Sequence, residues 1–283
     1  MPYFYDKFYA MRKNWLHKMA FLGILLFSIR SASAQFKASE TQVLYQKTQQ
    51  TAVLLNLPYP EDIVESSIKE YMSRKGLKNS SSRGYMVFRN VRLDERDAAL
   101  ADLHIRVDRK SSSEKGASIV TVLVAGPGED PATRSGRNEK FQEGASRYIE
   151  NMVPAIQAGD LEAKIKSQES VTKKSQNKMA NLHDDQADLE KKIRNTQADL
   201  EQNKKDQVTE TNNMQQSVHG DDAALKKSHK KMDKLLSDQT RMQKKLAEYQ
   251  AELGQNKRDQ DTQQSDVQQQ QHSLDSLRTL RKS

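Results

Sequence analysis

A seven-residue repeat of apolar residues runs through the second half of this chain and constrains its fold more than any other feature. Two seams follow the repeat, one before Gly220 and one after it. A strict repeat over this many heptads indicates a coiled coil, because it keeps one stripe of each helix facing a partner. The first seam contains Leu161, Ile165, Met179, Leu182, Leu189, Ile193, Leu200 and Met214, and the second contains Leu225, Met232, Leu235, Met242, Leu246, Tyr249, Leu253, Val267, Leu274 and Leu277.

Many of the remaining seam positions are polar. In the first seam they are Gln168, Thr172, Ser175, Gln186, Thr196, Asn203 and Gln207. Polar residues at these positions weaken the apolar packing between helices. We therefore expect the coiled coil to be only marginally stable by itself.

The coiled coil, residues 159–283, is an internal duplication with an offset of 53 residues. Residues 170–207 and 223–260 are identical at 18 of 38 positions. Since 53 residues are seven heptads and four further residues, the second copy begins in a different heptad phase. A duplication therefore explains why the two seams do not share one frame.

The segment between the copies reads Val218-His219-Gly220-Asp221-Asp222. Gly is common just after a helix and Asp is common as a helix N-cap, so this segment predicts a reversal of the chain. Helices of about 159–218 and 222–281 would then form a long antiparallel coiled-coil hairpin. The alternative is one continuous helix that pairs with a second chain in a parallel dimer.

Residues 35–158 predict a small α+β domain. A segment at 61–75 has apolar residues at helical spacing, acids in its first turn and Gly76 as its stop, and a second helix begins near Asn138. The order β-α-β-β-β-α predicts an antiparallel sheet with helices over one face. The predicted strands are 51–57, 85–93, 103–107 and 118–124.

Residues 1–34 have the three parts of a cleaved signal peptide. A basic segment from Met11 precedes an apolar run from Ala20 to Ile29, and Ala32-Ser33-Ala34 follows as a cleavage site. The run is shorter than the roughly 20 residues that span a bilayer, so a cleaved signal is favoured over a membrane anchor. We expect an exported protein, periplasmic or extracellular, whose start is either Met1 or Met11.

Charge and cysteine content exclude several classes of protein. The formal net charge is +8, but removal of residues 1–34 leaves 41 of the 46 basic and 37 of the 38 acidic residues. A nucleic-acid partner is not expected, because such a partner requires positive charge concentrated on the folded protein. Cysteine is absent, which excludes disulfides, thiol catalysis, cysteine metal sites and the lipidated cysteine of a lipoprotein.

The predicted α+β domain carries no catalytic, cofactor or metal-binding pattern. Its 125–130 loop lacks the Gly-Lys-Ser/Thr of a phosphate-binding loop and contains Pro127, so it predicts a plain turn. His104 is the only histidine of this domain, and we expect it on the solvated face of a strand. We therefore expect no enzymatic activity, no cofactor and no small-molecule substrate.

Five lysines follow the junction between the copies, and the predicted hairpin places them near its tip. They are Lys226, Lys227, Lys230, Lys231 and Lys234. One interpretation is an anion-binding site for anionic envelope polymers or lipid headgroups. The other is an ordinary solvated charged face.

The chain resembles exported proteins of Bacteroidota-type bacteria in its signal peptide, its α+β domain and its tail segments 188–193 and 200–207. This resemblance implies no activity and no functional residues. More loosely, the cysteine-free composition and helical hairpin are similar to the periplasmic Skp/OmpH-like chaperones. The chain departs from those chaperones because its β-containing domain precedes both helices, whereas their helical arm is inserted within the domain.

These observations favour a non-enzymatic structural or interaction protein of the cell envelope. Its coiled-coil stalk would bind protein partners or self-associate. The alternative is a periplasmic holdase-type chaperone that uses the weak seam to bind unfolded envelope proteins.

If the signal peptide is cleaved after Ala34, the protein recovered outside the cytoplasm begins at Gln35. Replacing both Ala32 and Ala34 with Leu should block cleavage, because the site requires small residues. N-terminal sequencing of both proteins tests this. A mature wild-type protein that still begins at Met1 or Met11 would contradict the expectation.

Overall fold

A computed structural model describes residues 36–94, 100–133, 139–217 and 222–282. The predicted signal peptide and the 218–221 junction lie outside these ranges. The chain divides into two units, a sheet unit that ends at Asp160 and a hairpin unit that begins at Leu161.

The sheet unit contains one six-stranded antiparallel sheet with the strand order β1-β2-β6-β5-β4-β3. The predicted α+β class is confirmed, with two edge strands, β1 and β3, that the sequence did not predict. Both are rich in polar residues and hold their place by backbone pairing with β2 and β4. The strands are β1 Ser39–Tyr45, β2 Thr48–Leu57, β3 Asn79–Ser82, β4 Tyr85–Arg92, β5 Leu100–Arg109 and β6 Ser118–Ala125.

Four helices and one short 3-10 turn complete the described chain. They are α1 Glu61–Arg74, α2 Glu139–Glu150, α3 Val153–Ser217 and α4 Asp222–Lys282, with the turn at Pro131–Thr133. Helix α1 ends in a Schellman motif, in which Leu77 N donates to Met72 O and Gly76 N to Ser73 O. Gly76 has a φ of 78°, the left-handed conformation that favours glycine.

One face of the sheet forms the core of the sheet unit. Buried side chains of β2, β4, β5 and β6 pack there against α1, α2 and the first turns of α3. Each fully buried aliphatic or aromatic side chain stabilises the fold by about 1.5–3 kcal/mol. The helices contribute Val64, Ile68, Met72, Ala145, Tyr148, Ile149, Val153 and Ile156, and the turn between α2 and α3 contributes Met152.

Helices α3 and α4 form an antiparallel hairpin in the hairpin unit. Arg281 of α4 pairs with Glu162 at 3.3 Å, and Lys231, fifty residues earlier on α4, pairs with Glu210 at 2.7 Å. The pairing therefore runs in opposite chain directions, and the predicted hairpin is confirmed over the continuous helix. Helix α3 begins at Val153, earlier than the predicted 159, because Val153 and Ile156 are drawn into the sheet core.

Polar seam residues of the hairpin hydrogen-bond across the two helices. Asn203 Nδ2 donates to Leu235 O at 3.1 Å, and Gln207 Nε2 donates to Gln239 Oε1 at 3.0 Å and to Asn203 Oδ1 at 2.6 Å. We call these four residues the Asn203 cluster. Asn203 is 6% exposed, so its amide replaces water with protein partners, and the bonds fix which residues of the helices lie opposite each other.

A second group, the Asn256 cluster, contains Asn256, Gln260, Leu182 and Gln186. Asn256 Nδ2 donates to Leu182 O at 3.0 Å, and Gln260 Nε2 donates to Gln186 Oε1 and to Asn256 Oδ1, both at 2.7 Å. The seam is thus polar and yet hydrogen-bonded at both clusters.

No helix among the described ranges has the length and apolarity needed to cross a membrane.

Replacing Gly159 with Ala should destabilise the sheet unit by about 1–3 kcal/mol, the usual cost of an added methyl group in a packed site. A Cβ at Gly159 would meet the Oγ of Ser67 on α1 and lie 3.3 Å from its Cβ. Ser67 is buried. Urea unfolding of the full chain measures the change.

Gly254→Ala is the matched control, because a Cβ there meets only Arg258 Nη1, at an ordinary 3.7 Å. It should stabilise α4 by roughly 1 kcal/mol through helix propensity. Adding Ser67→Ala to the Gly159 variant should recover part of its loss. Equal effects of the Gly159 and Gly254 changes would contradict the close packing of α1 and α3.

Candidate functional site

The five lysines predicted near the hairpin tip form one exposed stripe along α4, which we call the lysine stripe. At 3.6 residues per turn, Lys226, Lys227, Lys230, Lys231 and Lys234 fall within an arc of about 140° on the helix. All five are exposed. With Lys226 at 0°, the seam residue Leu235 lies at about 180°, which is about 40° from Lys231 and about 80° or more from the other four lysines. Those four therefore face outward from the hairpin, and Lys231 borders the seam.

Lys231 differs from the other lysines of the stripe because it is paired. Its Nζ lies 2.7 Å from Oε2 of Glu210, whose side chain is buried against α4. Hydrogen bonds from Lys231 and Ser228 lower the pKa of the Glu210 carboxyl, and Glu210 in turn raises the pKa of Lys231. The charge of Lys231 is therefore balanced within the hairpin.

The other four lysines of the stripe have no ion-pair partner among the described residues. From Lys226 to Lys234 the stripe spans about 12 Å at about 1.5 Å per residue. An ammonium group is a compact point charge on a flexible stem, so such a row suits an extended anion rather than one planar group. The structure brings the predicted lysines together and leaves their anion-binding role a prediction.

The duplication places a weaker version of the stripe on α3. The residues 53 positions earlier are Lys173, Lys174, Asn177, Lys178 and Asn181. The three lysines of this set are also exposed. The positive charge is therefore greater in the second copy, and the first copy supplies a matched comparison surface.

A second polar group, which the sequence did not predict, lies on the sheet face opposite α1 and α2. We call Tyr45, Tyr85 and His104 the tyrosine–histidine cluster. The ring centroids of Tyr45 and Tyr85 are 5.6 Å apart, and those of Tyr45 and His104 are 6.4 Å apart. All three side chains are buried, and His104 is 7% exposed.

The predicted position of His104 on a solvated strand face is wrong. His104 lies in register between Val87 of β4 and Leu123 of β6. Leu123 belongs to a second apolar group on this face, against which Ala132 of the 3-10 turn packs. Strand alternation correctly placed His104 opposite the main core, but a loop distant in sequence buries this face as well.

Two carboxylates hold that loop, one from buried Asp102 on β5 and one from the loop's own exposed Glu129. Asp102 Oδ2 accepts a hydrogen bond from Gly128 N at 3.0 Å, and its Oδ1 accepts one from Asn90 N at 2.9 Å. Gly126 N donates to Glu129 Oε2 at 3.2 Å. These loop amides are already bonded to carboxylates of the protein itself, which supports the sequence interpretation of a plain turn rather than a phosphate-binding loop.

Asp130 ties the same loop to two hairpin turns of the sheet. It accepts hydrogen bonds from Gln46 Nε2 at 2.9 Å and from Arg83 Nη1 at 3.1 Å. Gln46 and Arg83 have φ values of 48° and 53°, which non-glycine residues rarely adopt. Backbone and side-chain hydrogen bonds from Ala132 and Gln46, together with the Arg83 charge, lower the pKa of Asp130.

Burial disfavours the charged forms of two members of this cluster, Tyr85 and His104. Burial lowers the pKa of His104, against the opposing charges of Asp130 and Asp102. Burial also raises the pKa of Tyr85. Tyr85 Oη and His104 Nδ1 are buried, and neither has a hydrogen-bond partner within the part of the chain that the structure describes.

No group of three or more potential metal ligands comes together within the described ranges. No protein-family model matches this chain. No curated protein matches its sequence either. The lysine stripe and the tyrosine–histidine cluster therefore have to be interpreted from their own geometry.

His104 should make the sheet unit less stable as the pH falls. The unfolded chain takes up a proton near the ordinary histidine pKa of about 6.5, whereas the folded chain does so only at lower pH. The contribution of His104 is therefore complete above about pH 6.5 and is lost as the pH falls from there towards the folded-state pKa. Urea unfolding at several pH values, followed by near-ultraviolet circular dichroism, measures the slope.

His104→Gln should flatten this part of the stability profile, since the variant has no imidazole to protonate. His183→Gln is the control, because His183 is exposed on the hairpin and should leave the profile of the sheet unit unchanged. A His104→Gln profile as steep as that of the wild type would assign the acid sensitivity to other groups.

Proposed function

We propose that this chain is a non-enzymatic interaction protein of the cell envelope whose hairpin acts as an arm. The observation that carries the proposal is the lysine stripe, in which four exposed lysines without ion-pair partners among the described residues lie on the outward side of α4. Helix α3 extends about 85 Å from Leu161 to Ser217. The stripe lies near the end of the hairpin that is farthest from Leu161, because Lys231 pairs with Glu210 close to Ser217.

The chemistry of the stripe favours an extended anionic partner. Exposed single ion pairs contribute only about 0–1 kcal/mol each and are screened by salt. A row of several charges along one partner adds these contributions and raises the association rate. An acidic envelope polymer or an anionic lipid surface presents such a row, whereas a small anion meets only one or two of the lysines.

The holdase-type chaperone is the second candidate. It is supported by exposed apolar side chains on the hairpin, among them Val208 at 63% and Leu236 at 46%. Unfolded proteins bind to such side chains through apolar contact. The seam itself is closed between α3 and α4, so the arm proposal needs no rearrangement of the hairpin and is preferred.

Replacing Lys226, Lys227, Lys230 and Lys234 with Gln should weaken binding to acidic liposomes and to an acidic polysaccharide. Four lost point charges at about 0.3–0.5 kcal/mol each correspond to roughly tenfold to thirtyfold weaker binding at low salt. Added salt should reduce wild-type binding in the same direction. Cosedimentation with vesicles and polymer pull-down measure both effects.

The control variant replaces Lys173, Lys174 and Lys178 with Gln, which removes charge from the equivalent face of α3. It should retain most of the binding. Equal losses for both variants would indicate attraction to net charge alone, and no binding by the wild type would contradict the proposal. Suppression of aggregation of an unfolded outer-membrane protein, unchanged in both lysine variants, would favour the chaperone.

A further inference from the structure

The two hydrogen-bond clusters of the hairpin are related by the 53-residue duplication. Each residue of the Asn256 cluster lies 53 positions from its counterpart in the Asn203 cluster, with Asn256 replacing Asn203 and Leu182 replacing Leu235. The two asparagine–carbonyl distances are 3.0 and 3.1 Å. In one cluster α3 provides the asparagine, and in the other α4 provides it.

The relation continues on both sides of these clusters. Gln263 Nε2 of α4 donates to Ser175 O of α3 at 3.1 Å. The counterparts of these two residues, Glu210 and Ser228, also contact each other, through a hydrogen bond to the Glu210 carboxylate. These contacts therefore repeat when the two copies are interchanged, which is the geometry of an approximate twofold axis between this part of α3 and α4.

A surface with this property is complementary to the equivalent surface of another copy. A twofold interface uses the same patch on both partners, each residue i contacting j while j contacts i. Here the two patches belong to one chain, but every contact between α3 and α4 can also be made by α3 of one chain and α4 of another. The seam therefore specifies that α3 pairs with an α4, but it does not specify whether that α4 belongs to the same chain or to another copy.

We propose that the hairpin exchanges helices with a second copy of this chain, so that α3 of each copy pairs with α4 of the other. The exchanged dimer keeps the Asn203 and Asn256 clusters unchanged. At most four residues, 218–221, separate the described parts of α3 and α4, and short connections favour such exchange. The chain has no cysteine, so no disulfide closes the hairpin against it.

Protein concentration would decide between the two forms. Because the closed hairpin and the exchanged dimer share their seam contacts, their free energies differ by the entropy of association and by the connection between the helices. Opening the seam loses hydrogen bonds worth about 0.5–1.5 kcal/mol each together with apolar contacts. The exchange should therefore be slow in the folded protein and fast when chains fold together at high concentration.

The absence of cysteine permits a direct test with the full chain. Two versions of the chain are made with different affinity tags, one with Glu169→Cys and the other with Arg278→Cys. In the hairpin these two positions face each other, with Arg278 Nη2 2.8 Å from Glu169 Oε1. The two are unfolded, mixed, refolded together at high concentration and treated with a short bismaleimide. Exchange predicts a crosslinked heterodimer that carries both tags, and dilution during refolding should decrease it.

A mismatched pair and a locked hairpin provide the controls. Arg278→Cys is replaced by Lys244→Cys, which lies 34 residues away on α4, and this pair should give only background crosslinking. A single chain with both Glu169→Cys and Arg278→Cys, crosslinked first while dilute, cannot exchange and should remain monomeric in size-exclusion chromatography. Dimers of the locked chain, or no heterodimer above the mismatched background, would overturn the proposal.

Discussion

The hydrogen bond from a buried asparagine amide to a carbonyl of the opposite helix is the interaction on which the hairpin unit depends. Apolar packing alone allows two long helices to slide by a heptad at modest cost, because each seven-residue step restores the same kind of contact. An amide buried as deeply as that of Asn203 has to find its carbonyl, since leaving it unpaired costs about 1–3 kcal/mol. Only one register satisfies both the Asn203 and Asn256 clusters.

The polar seam therefore has a second consequence besides lower stability. Its glutamines and asparagines specify one antiparallel alignment, and Glu210, bonded to Lys231 across the hairpin, adds a charged contact near the tip. The same alignment keeps the four unpaired lysines of the stripe outward on α4. The charge distribution on this surface of the hairpin thus follows from contacts within the seam.

In the sheet unit, α1 and α2 pack on one face of the sheet, and the other face is partly covered by the loop at 126–133. Carboxylates hold this loop in place. Asp102 binds the loop at Gly128 and a strand residue at Asn90, while Asp130 binds the turns that carry Gln46 and Arg83. His104 is buried as a result, and burial lowers its pKa.

Local patterns in the sequence were sufficient to predict the α+β class, the four central strands, the first helix with its Gly76 stop, and the antiparallel hairpin. These features depend on periodicity and on residues close together in the chain. The edge strand β3 has no apolar residue and β1 has only the short run Val43–Tyr45 at its end, so both depend on pairing with the backbone of a neighbouring strand. The burial of His104 and the pairing of Lys231 with buried Glu210 were decided by tertiary structure, because each depends on a segment that folding brings from elsewhere in the chain.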